Sequence, residues 1–144
     1  MAKKTDRQKA VARADAAFSL YIRQRDGNQS VTGGTGQMTC SHLFSRTNYS
    51  TRWDEMNAFC QSSGENMRHE FDPSVLTLYF INRFGVDAYE ALSRKFHAVT
   101  KLKTYEIEQI ADDYQAKYKE LKELAGADIG YGEYTGNAML NEVR

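Results

Sequence analysis

The chain has few of the residues that cross-link or anchor small proteins. It contains two cysteines and one proline in 144 residues, which is too little cysteine for a disulfide framework or a four-cysteine zinc site. Cys40 and Cys60 would approach each other if their segments paired, but free thiols are expected in a reducing cytosol. No uninterrupted apolar run of about 18 residues occurs, so the sequence predicts no membrane span.

The chain also lacks an excess of charge of either sign. Its 19 basic residues balance its 19 acidic ones, which argues weakly against a nucleic-acid-binding protein. The distribution is uneven, because residues 1–25 hold seven basic side chains and two acidic ones. That excess favours either a local phosphate-binding surface or a solvated helix face. No apolar segment follows the basic N-terminus, so no secretory signal is predicted and a cytoplasmic location is expected.

Hydrophobic spacing predicts helices at both ends of the chain and strands between them. A helix is expected from about residue 6 to 25, followed by a glycine-containing loop over 30–37. Two short strands are expected at about 38–44 and 56–60, on either side of a polar, irregular stretch over 47–53. A helix would begin near residue 65. Three more helices are expected over 73–84, 87–97 and 104–124, which together give an α+β fold.

The middle of the chain holds a histidine, an asparagine and a closely spaced Asn/His pair that suit phosphodiester hydrolysis. His42 lies at the end of the first predicted strand, and a neutral imidazole can take a proton from water near neutral pH. Asn57 can hold the loop and fix the ring of the histidine. Asn66 and His69 are three positions apart, so on a helix they point the same way and could share a cation. The alternative is that His42 is a satisfied structural histidine.

Four strings resemble the NinG/Rap family of phage recombination nucleases, which have an HNH or ββα-metal core. Residues 18–26 (FSLYIRQRD) resemble the segment before that family's first zinc knuckle. Residues 41–46 (SHLFSR) are similar to its Gly-His-aromatic-x-Ser-Arg signature, and 52–57 (RWDEMN) to its Arg-Phe-Asp-Glu-x-Asn stretch. Residues 66–69 (NMRH) are similar to its Cys-Asn-x-x-His helix start, without the cysteine. The resemblance extends over about residues 15–85.

The resemblance implies a role for each of these residues. His42 would be the general base, Asn57 would orient it, and Arg46 would contact a phosphate or stabilise the transition state. Asn66 and His69 would hold Mg²⁺ or Mn²⁺. The partner would be DNA, branched or otherwise structured. The arginines expected to contact it are Arg23, Arg25, Arg52 and Arg68.

The chain departs from the resembled family at its zinc ligands. The two cysteine pairs of that family would fall at Ser30 and Gly33 and at Ser62 and Glu65. None of these residues makes a credible structural zinc site, so no structural zinc is expected. The hairpin would instead depend on packing from Trp53, Phe59 and the helix after Pro73. In addition, Ser41 stands where many HNH nucleases have an acidic metal ligand before the base.

Together these features predict four segments and leave several functions open. The segments are a basic N-terminal helix over 1–29, an HNH-like ββα core over 30–71, a helical region over 72–125 and a flexible tail over 126–144. The leading hypothesis is a zinc-free, metal-dependent HNH endonuclease of phage recombination or repair. The alternatives are a nuclease-derived protein that binds DNA without cutting it, a protein-interaction or regulatory module, and a chance match. Self-association through the C-terminal helices is a further expectation.

Overall fold

A computed structural model describes residues 2–130, and within that range the chain forms six α-helices around one small sheet. This confirms the predicted α+β class. In chain order the elements are α1 Asp6–Arg25, β1 Met38–His42, α2 Tyr49–Arg52, a 3-10 turn Glu55–Asn57, β2 Ala58–Ser62, α3 Ser63–His69, α4 Ser74–Phe84, α5 Val86–His97 and α6 Thr104–Gly130. No helix in the described part is long and apolar enough to cross a membrane.

The two strands pair antiparallel and lead directly into α3. The register runs from Met38 opposite Ser62 to His42 opposite Ala58, and it places Cys40 and Cys60 side by side as free thiols. Ser62 ends β2 and caps α3, since its hydroxyl accepts from the Glu65 backbone N–H at 3.2 Å. Apart from the short helix α2 and the 3-10 turn between the strands, the chain therefore has the β-β-α order that the resemblance implies.

Helix α1 packs lengthwise against α6 and forms one of two hydrophobic clusters. Small side chains on α1 allow the two helices to approach closely, and α6 contributes Ile107, Ala111 and Tyr114 to the contact. We call this cluster the α1–α6 core; its buried members are Ala10, Ala14, Ala17, Phe18, Ile22, Trp53, Ala58, Ile107, Ala111 and Tyr114. The apolar face of α6 is thus covered by α1 of the same chain. Over these residues it is not free for the self-association that the sequence left open.

The second cluster lies on the other face of the sheet, where α4 and α5 cover β2. We call it the α4–α5 core; its buried members are Leu43, Phe59, Leu76, Phe80 and Leu92. Phe59 of β2 makes edge contacts with the rings of Tyr79 and Phe80 of α4. The predicted support of the hairpin by Phe59 and the helix after Pro73 is therefore confirmed. Trp53 supports it from the opposite side, within the α1–α6 core.

Several boundaries differ from the sequence-based expectation. Residues 49–52, expected to be irregular, form the short helix α2, and β2 starts at Ala58 because Asp54 caps a 3-10 turn before it. Helix α4 begins at Ser74 rather than at Pro73, with the Asp72 carboxylate accepting from the Ser74 backbone N–H at 3.1 Å. Helix α6 continues to Gly130, so the predicted flexible tail is helical at its start; residues 131–144 of that tail lie outside the described part.

Candidate active site

His42 is the last residue of β1, and its ring lies against α1 and the loop before β2. Its Nε2 is 2.9 Å from the Arg52 carbonyl oxygen, and its ring centroid is 5.8 Å from that of Phe18. A carbonyl only accepts, so Nε2 carries the hydrogen and Nδ1 of the neutral ring keeps its lone pair. Burial lowers the pKa of His42 from 6.5 to about 4, because desolvation disfavours the charged ring. The ring is therefore neutral, and able to accept a proton, at neutral pH.

Asn57 holds the loop that carries this carbonyl. Its side chain is fully buried, and Oδ1 accepts from the Phe44 backbone N–H at 2.8 Å. Nδ2 donates to the carbonyls of Phe44 and Thr51, each at 3.0 Å. Thr51 precedes Arg52, so Asn57 fixes the backbone next to the carbonyl that orients His42. Its action on the ring passes through the backbone, which makes it a positioning residue.

Asp15 of α1 holds the same loop from the other side, and sequence analysis did not single it out. Its carboxylate accepts from Arg52 Nε at 3.0 Å and Arg52 Nη2 at 2.6 Å, and from the Trp53 indole N–H at 3.0 Å. The Arg52 guanidinium also donates to the Arg46 carbonyl at 2.9 Å. The only signal in the sequence is an aspartate beside the buried stripe of α1, and nothing there indicates its partner 37 positions away.

Arg46 leaves a positive charge at the surface beside His42. Its side chain is 59% exposed, with Nη1 4.0 Å from Asp15 Oδ2. Its charge is one of the smaller causes, after burial, that lower the pKa of His42. An exposed guanidinium beside a neutral imidazole is suited to an anionic group such as a phosphate.

Asn66 and His69 project from α3 toward the end of β1. Asn66 Oδ1 accepts from the buried Ser41 hydroxyl at 2.8 Å, and His69 Nε2 is 3.1 Å from the Leu43 carbonyl oxygen. Successive side chains of a strand point to opposite faces, so Ser41 faces α3 whereas His42 faces α1. Within residues 2–130 no hydrogen bond joins His42 to Asn66 or His69. The structure thus brings the predicted residues to the same end of β1, with His42 on one face of the sheet and Asn66 and His69 on the other.

The arginines predicted to bind DNA differ in their availability. Arg25 donates to the carbonyls of Glu55 and Ala58 at 2.7 and 2.8 Å, and it pairs with Asp26 at 2.9 Å. Arg25 and Arg52 have side chains 19% and 17% exposed, so a DNA contact by either would require these internal contacts to break. Arg23 donates from Nε to the Ser19 carbonyl at 3.3 Å within α1, and Arg68 is exposed on α3.

The predicted pair of metal ligands does not by itself form a magnesium site. Mg²⁺ and Mn²⁺ favour carboxylate, carbonyl and water oxygens, whereas this pair offers an imidazole and an amide oxygen that already accepts from Ser41. In the part of the chain that the structure describes, no three His, Cys, Asp or Glu side chains group to hold a metal. The chemistry that the described residues can perform therefore rests on the side chains of the protein.

A carboxylate occupies the place where the resembled family has zinc ligands. Glu65 Oε1 accepts from the Ser30 hydroxyl at 2.6 Å and the Ser62 backbone N–H at 2.8 Å. Oε2 accepts from the Thr32 hydroxyl and, at 3.1 Å, from the Gly34 backbone N–H. Although burial acts to raise it, these hydrogen bonds lower the pKa of Glu65 from 4.5 to about 2. One anionic side chain thus joins the loop over 30–34 to the start of α3.

Comparisons with known proteins do not identify a function for these residues. No protein family, curated protein or solved structure matches the chain. Membership of the NinG/Rap family therefore stays a prediction from the four strings, and the geometry around His42 is the basis for any functional proposal.

Proposed function

We propose that this chain is a metal-dependent DNA endonuclease of the HNH type, acting on branched or otherwise structured DNA in phage recombination or repair. The observation that carries the proposal is the setting of His42, a neutral imidazole at the end of a strand in a β-β-α unit. Its Nε2–H is held by the Arg52 carbonyl, and Asn57 and Asp15 hold the loop that presents this carbonyl. Support for a DNA substrate comes from the exposed Arg46 beside the ring.

In the proposed reaction, His42 Nδ1 takes a proton from a water molecule whose oxygen attacks phosphorus. The new P–O bond forms as the bond to the 3′ oxygen breaks, and the departing oxygen takes a proton from solvent. The imidazolium then returns its proton to solvent. Its Nε2–H bond to the Arg52 carbonyl strengthens while the ring is charged, because charge-assisted hydrogen bonds are stronger than neutral ones. Arg46 offsets the charge that develops on the phosphate oxygens.

The alternative is a protein of the same descent that binds DNA without cutting it. It is favoured by the lack of good metal ligands around Asn66, because Ser41 and Asn66 hydrogen-bond to each other and neither has a carboxylate. It is also favoured by the low pKa of His42, since a ring with a pKa of about 4 is a weak base.

A cleavage assay on branched and linear DNA separates the two functions. The parent protein is incubated at low salt, where phosphate contacts are strongest, with Mg²⁺, with Mn²⁺ or with EDTA. His42→Ala is expected to lower the cleavage rate by at least about 100-fold, since removing a general base costs roughly 10² to 10⁴. DNA affinity, measured by fluorescence anisotropy, should stay unchanged.

The matched control is His97→Ala. His97 is an exposed histidine at the end of α5, and its side chain hydrogen-bonds to the Ser93 carbonyl at 2.8 Å. It should cut as fast as the parent. Metal-dependent cutting that His42→Ala retains would sink the assignment of the base. DNA binding without any cutting by the parent would establish the alternative.

A further inference from the structure

The loop between α5 and α6 is held in place at both of its ends. At its start, the Phe96 carbonyl accepts from Asn48 Nδ2 at 2.9 Å and from the Ser50 hydroxyl at 3.1 Å. Near its end, the Leu102 carbonyl accepts from Arg7 Nη1 at 2.8 Å. The backbone of the loop is therefore fixed between α2 and the first turn of α1, and it positions the exposed side chains that the loop carries.

This loop and the start of α1 present exposed cations next to each other. Lys101 and Lys103 of the loop are exposed, and in the described part of the chain neither ammonium group forms an ion pair. Lys3 and Lys4 are exposed just before α1, and Arg7 connects α1 to the loop. We call this set the basic rim; its members are Lys3, Lys4, Arg7, Lys101 and Lys103.

The two stretches of chain that carry the basic rim contain only two carboxylates, at Asp6 and Glu106. Glu106 accepts from the Lys103 backbone N–H at 2.6 Å, and Asp6 lines a separate cleft beside Arg13 and Glu108. Five cations thus stand against two anions here, although the whole chain has no net charge. A local excess of positive charge attracts an anionic partner even on a neutral protein.

A shallow groove connects the basic rim to the candidate active site. It runs along α1 from Arg7 to Asp15, and Tyr49 of α2 forms part of its wall. Asp15 binds Arg52, whose carbonyl holds His42. From Arg7 to Asp15 the helix rises about 12 Å. This length corresponds to roughly three or four nucleotides of one DNA strand, since each nucleotide adds about 3.4 Å.

We propose that the basic rim binds phosphates of the DNA strand roughly three or four nucleotides from the bond that His42 attacks. The inference rests on the proposed function, and it assigns the contact to residues outside the four strings of the resemblance. Lysine ammonium groups act as point charges, and phosphate contacts position DNA without reading its sequence. The basic rim therefore sets the register of the strand. Unlike Arg25 and Arg52, its lysines break no ion pair of the described part when they bind.

Fluorescence anisotropy of labelled DNA in EDTA, over a series of salt concentrations, tests this inference without cleavage. Lys101→Gln/Lys103→Gln removes two charges of the basic rim and leaves the backbone contacts of the loop. We expect this variant to bind about tenfold more weakly at low salt, and the slope of log affinity against log salt to fall by about 2. The matched control is Lys119→Gln/Lys122→Gln, two exposed lysines at least about 24 Å further along α6. It should change both quantities far less.

Labelling of lysines with an amine-reactive ester, followed by mass spectrometry, locates the contact directly. Bound DNA is expected to protect Lys101 and Lys103 and to leave Lys119 as reactive as in the free protein. Circular dichroism verifies that every variant is folded. Equal losses of affinity and slope in the two double variants would overturn the basic rim, as would full reactivity of Lys101 and Lys103 in the complex.

The failure of this inference can be distinguished from the failure of the proposed function. A parent protein that cuts DNA in Mg²⁺ or Mn²⁺ but gives no protection at Lys101 and Lys103 overturns the basic rim and leaves the endonuclease proposal standing. A parent that never cuts, but whose affinity and salt slope fall as expected in Lys101→Gln/Lys103→Gln, supports the basic rim and contradicts the endonuclease. A parent that does not bind DNA even at low salt overturns both.

Discussion

Glu65 joins two separate segments of the chain, as a structural metal ion does in other small domains. It accepts four hydrogen bonds from the loop over 30–34 and from the cap of α3. A carboxylate that accepts several hydrogen bonds stabilises the fold more when it is ionised than when it is protonated. Because the pKa of Glu65 is lowered from 4.5 to about 2, its contribution is fully present above the unfolded value and is lost as the pH falls from 4.5 toward 2.

We expect Glu65→Gln to destabilise the protein by about 1 to 3 kcal/mol at neutral pH, because it leaves partly buried hydrogen-bond donors without an acceptor. Each carboxylate oxygen of Glu65 accepts from two donors, and the glutamine NH₂ group would replace one of these oxygens with a further donor. Urea unfolding measures the change, with Glu120→Gln, an exposed glutamate on α6, as the matched control. The difference between parent and Glu65→Gln should shrink as the pH is lowered below 4.5. A variant as stable as its parent would show that these hydrogen bonds contribute nothing net.

At the scale of elements, α1 positions the candidate active site through Asp15. Its carboxylate holds Arg52, whose carbonyl holds Nε2 of His42. Asp15→Asn keeps an acceptor for the Trp53 indole but removes the charge that pairs with Arg52. We expect the Nε2–H form of His42 to lose its dominance, as ¹⁵N NMR of the ring would show. The cleavage rate should fall on the order of tenfold, since small misplacements of catalytic groups are costly.

Asp112→Asn is the matched control for this effect. It breaks the 2.7 Å ion pair between Arg13 of α1 and Asp112 of α6 but touches nothing near His42. If both variants leave the ¹⁵N signals of His42 unchanged, Asp15 only stabilises the fold. Asp15→Glu, which restores the charge, should recover the parent signals at least in part.

The elements with strong hydrophobic periodicity could be predicted from the sequence, and those set by distant contacts could not. Apolar residues at helical spacing predicted α1, α4 and α6, because the spacing of apolar residues determines whether a helix can bury one face. The helix at residues 49–52 lies outside that pattern and is held by the buried Asn57. Likewise, helical spacing placed Asn66 and His69 on one side of α3. It could not show that His42 faces the opposite side of the sheet.

In the whole molecule, the two hydrophobic cores meet at β2. Ala58 belongs to the α1–α6 core and its neighbour Phe59 to the α4–α5 core, since successive strand residues point to opposite faces. If β2 separates from one core, its packing against the other core is disturbed as well. The first three segments inferred from the sequence, which contain both cores, are therefore expected to unfold together, as small single domains usually do.

The single tryptophan makes this coupling measurable, because Trp53 lies in the α1–α6 core. Leu76 is fully buried in the α4–α5 core, and Leu76→Ala is expected to cost about 2 to 5 kcal/mol. If β2 couples the cores, the urea midpoint of Trp53 fluorescence should fall as far as the midpoint of far-ultraviolet circular dichroism. Leu78→Ala, at a position of α4 that is 57% exposed, should change neither midpoint by much.

A fluorescence midpoint that stays at the parent value while the circular dichroism midpoint falls would mean that the α1–α6 core folds independently. Support for the hairpin from α4 and α5 would then be dispensable for the setting of His42.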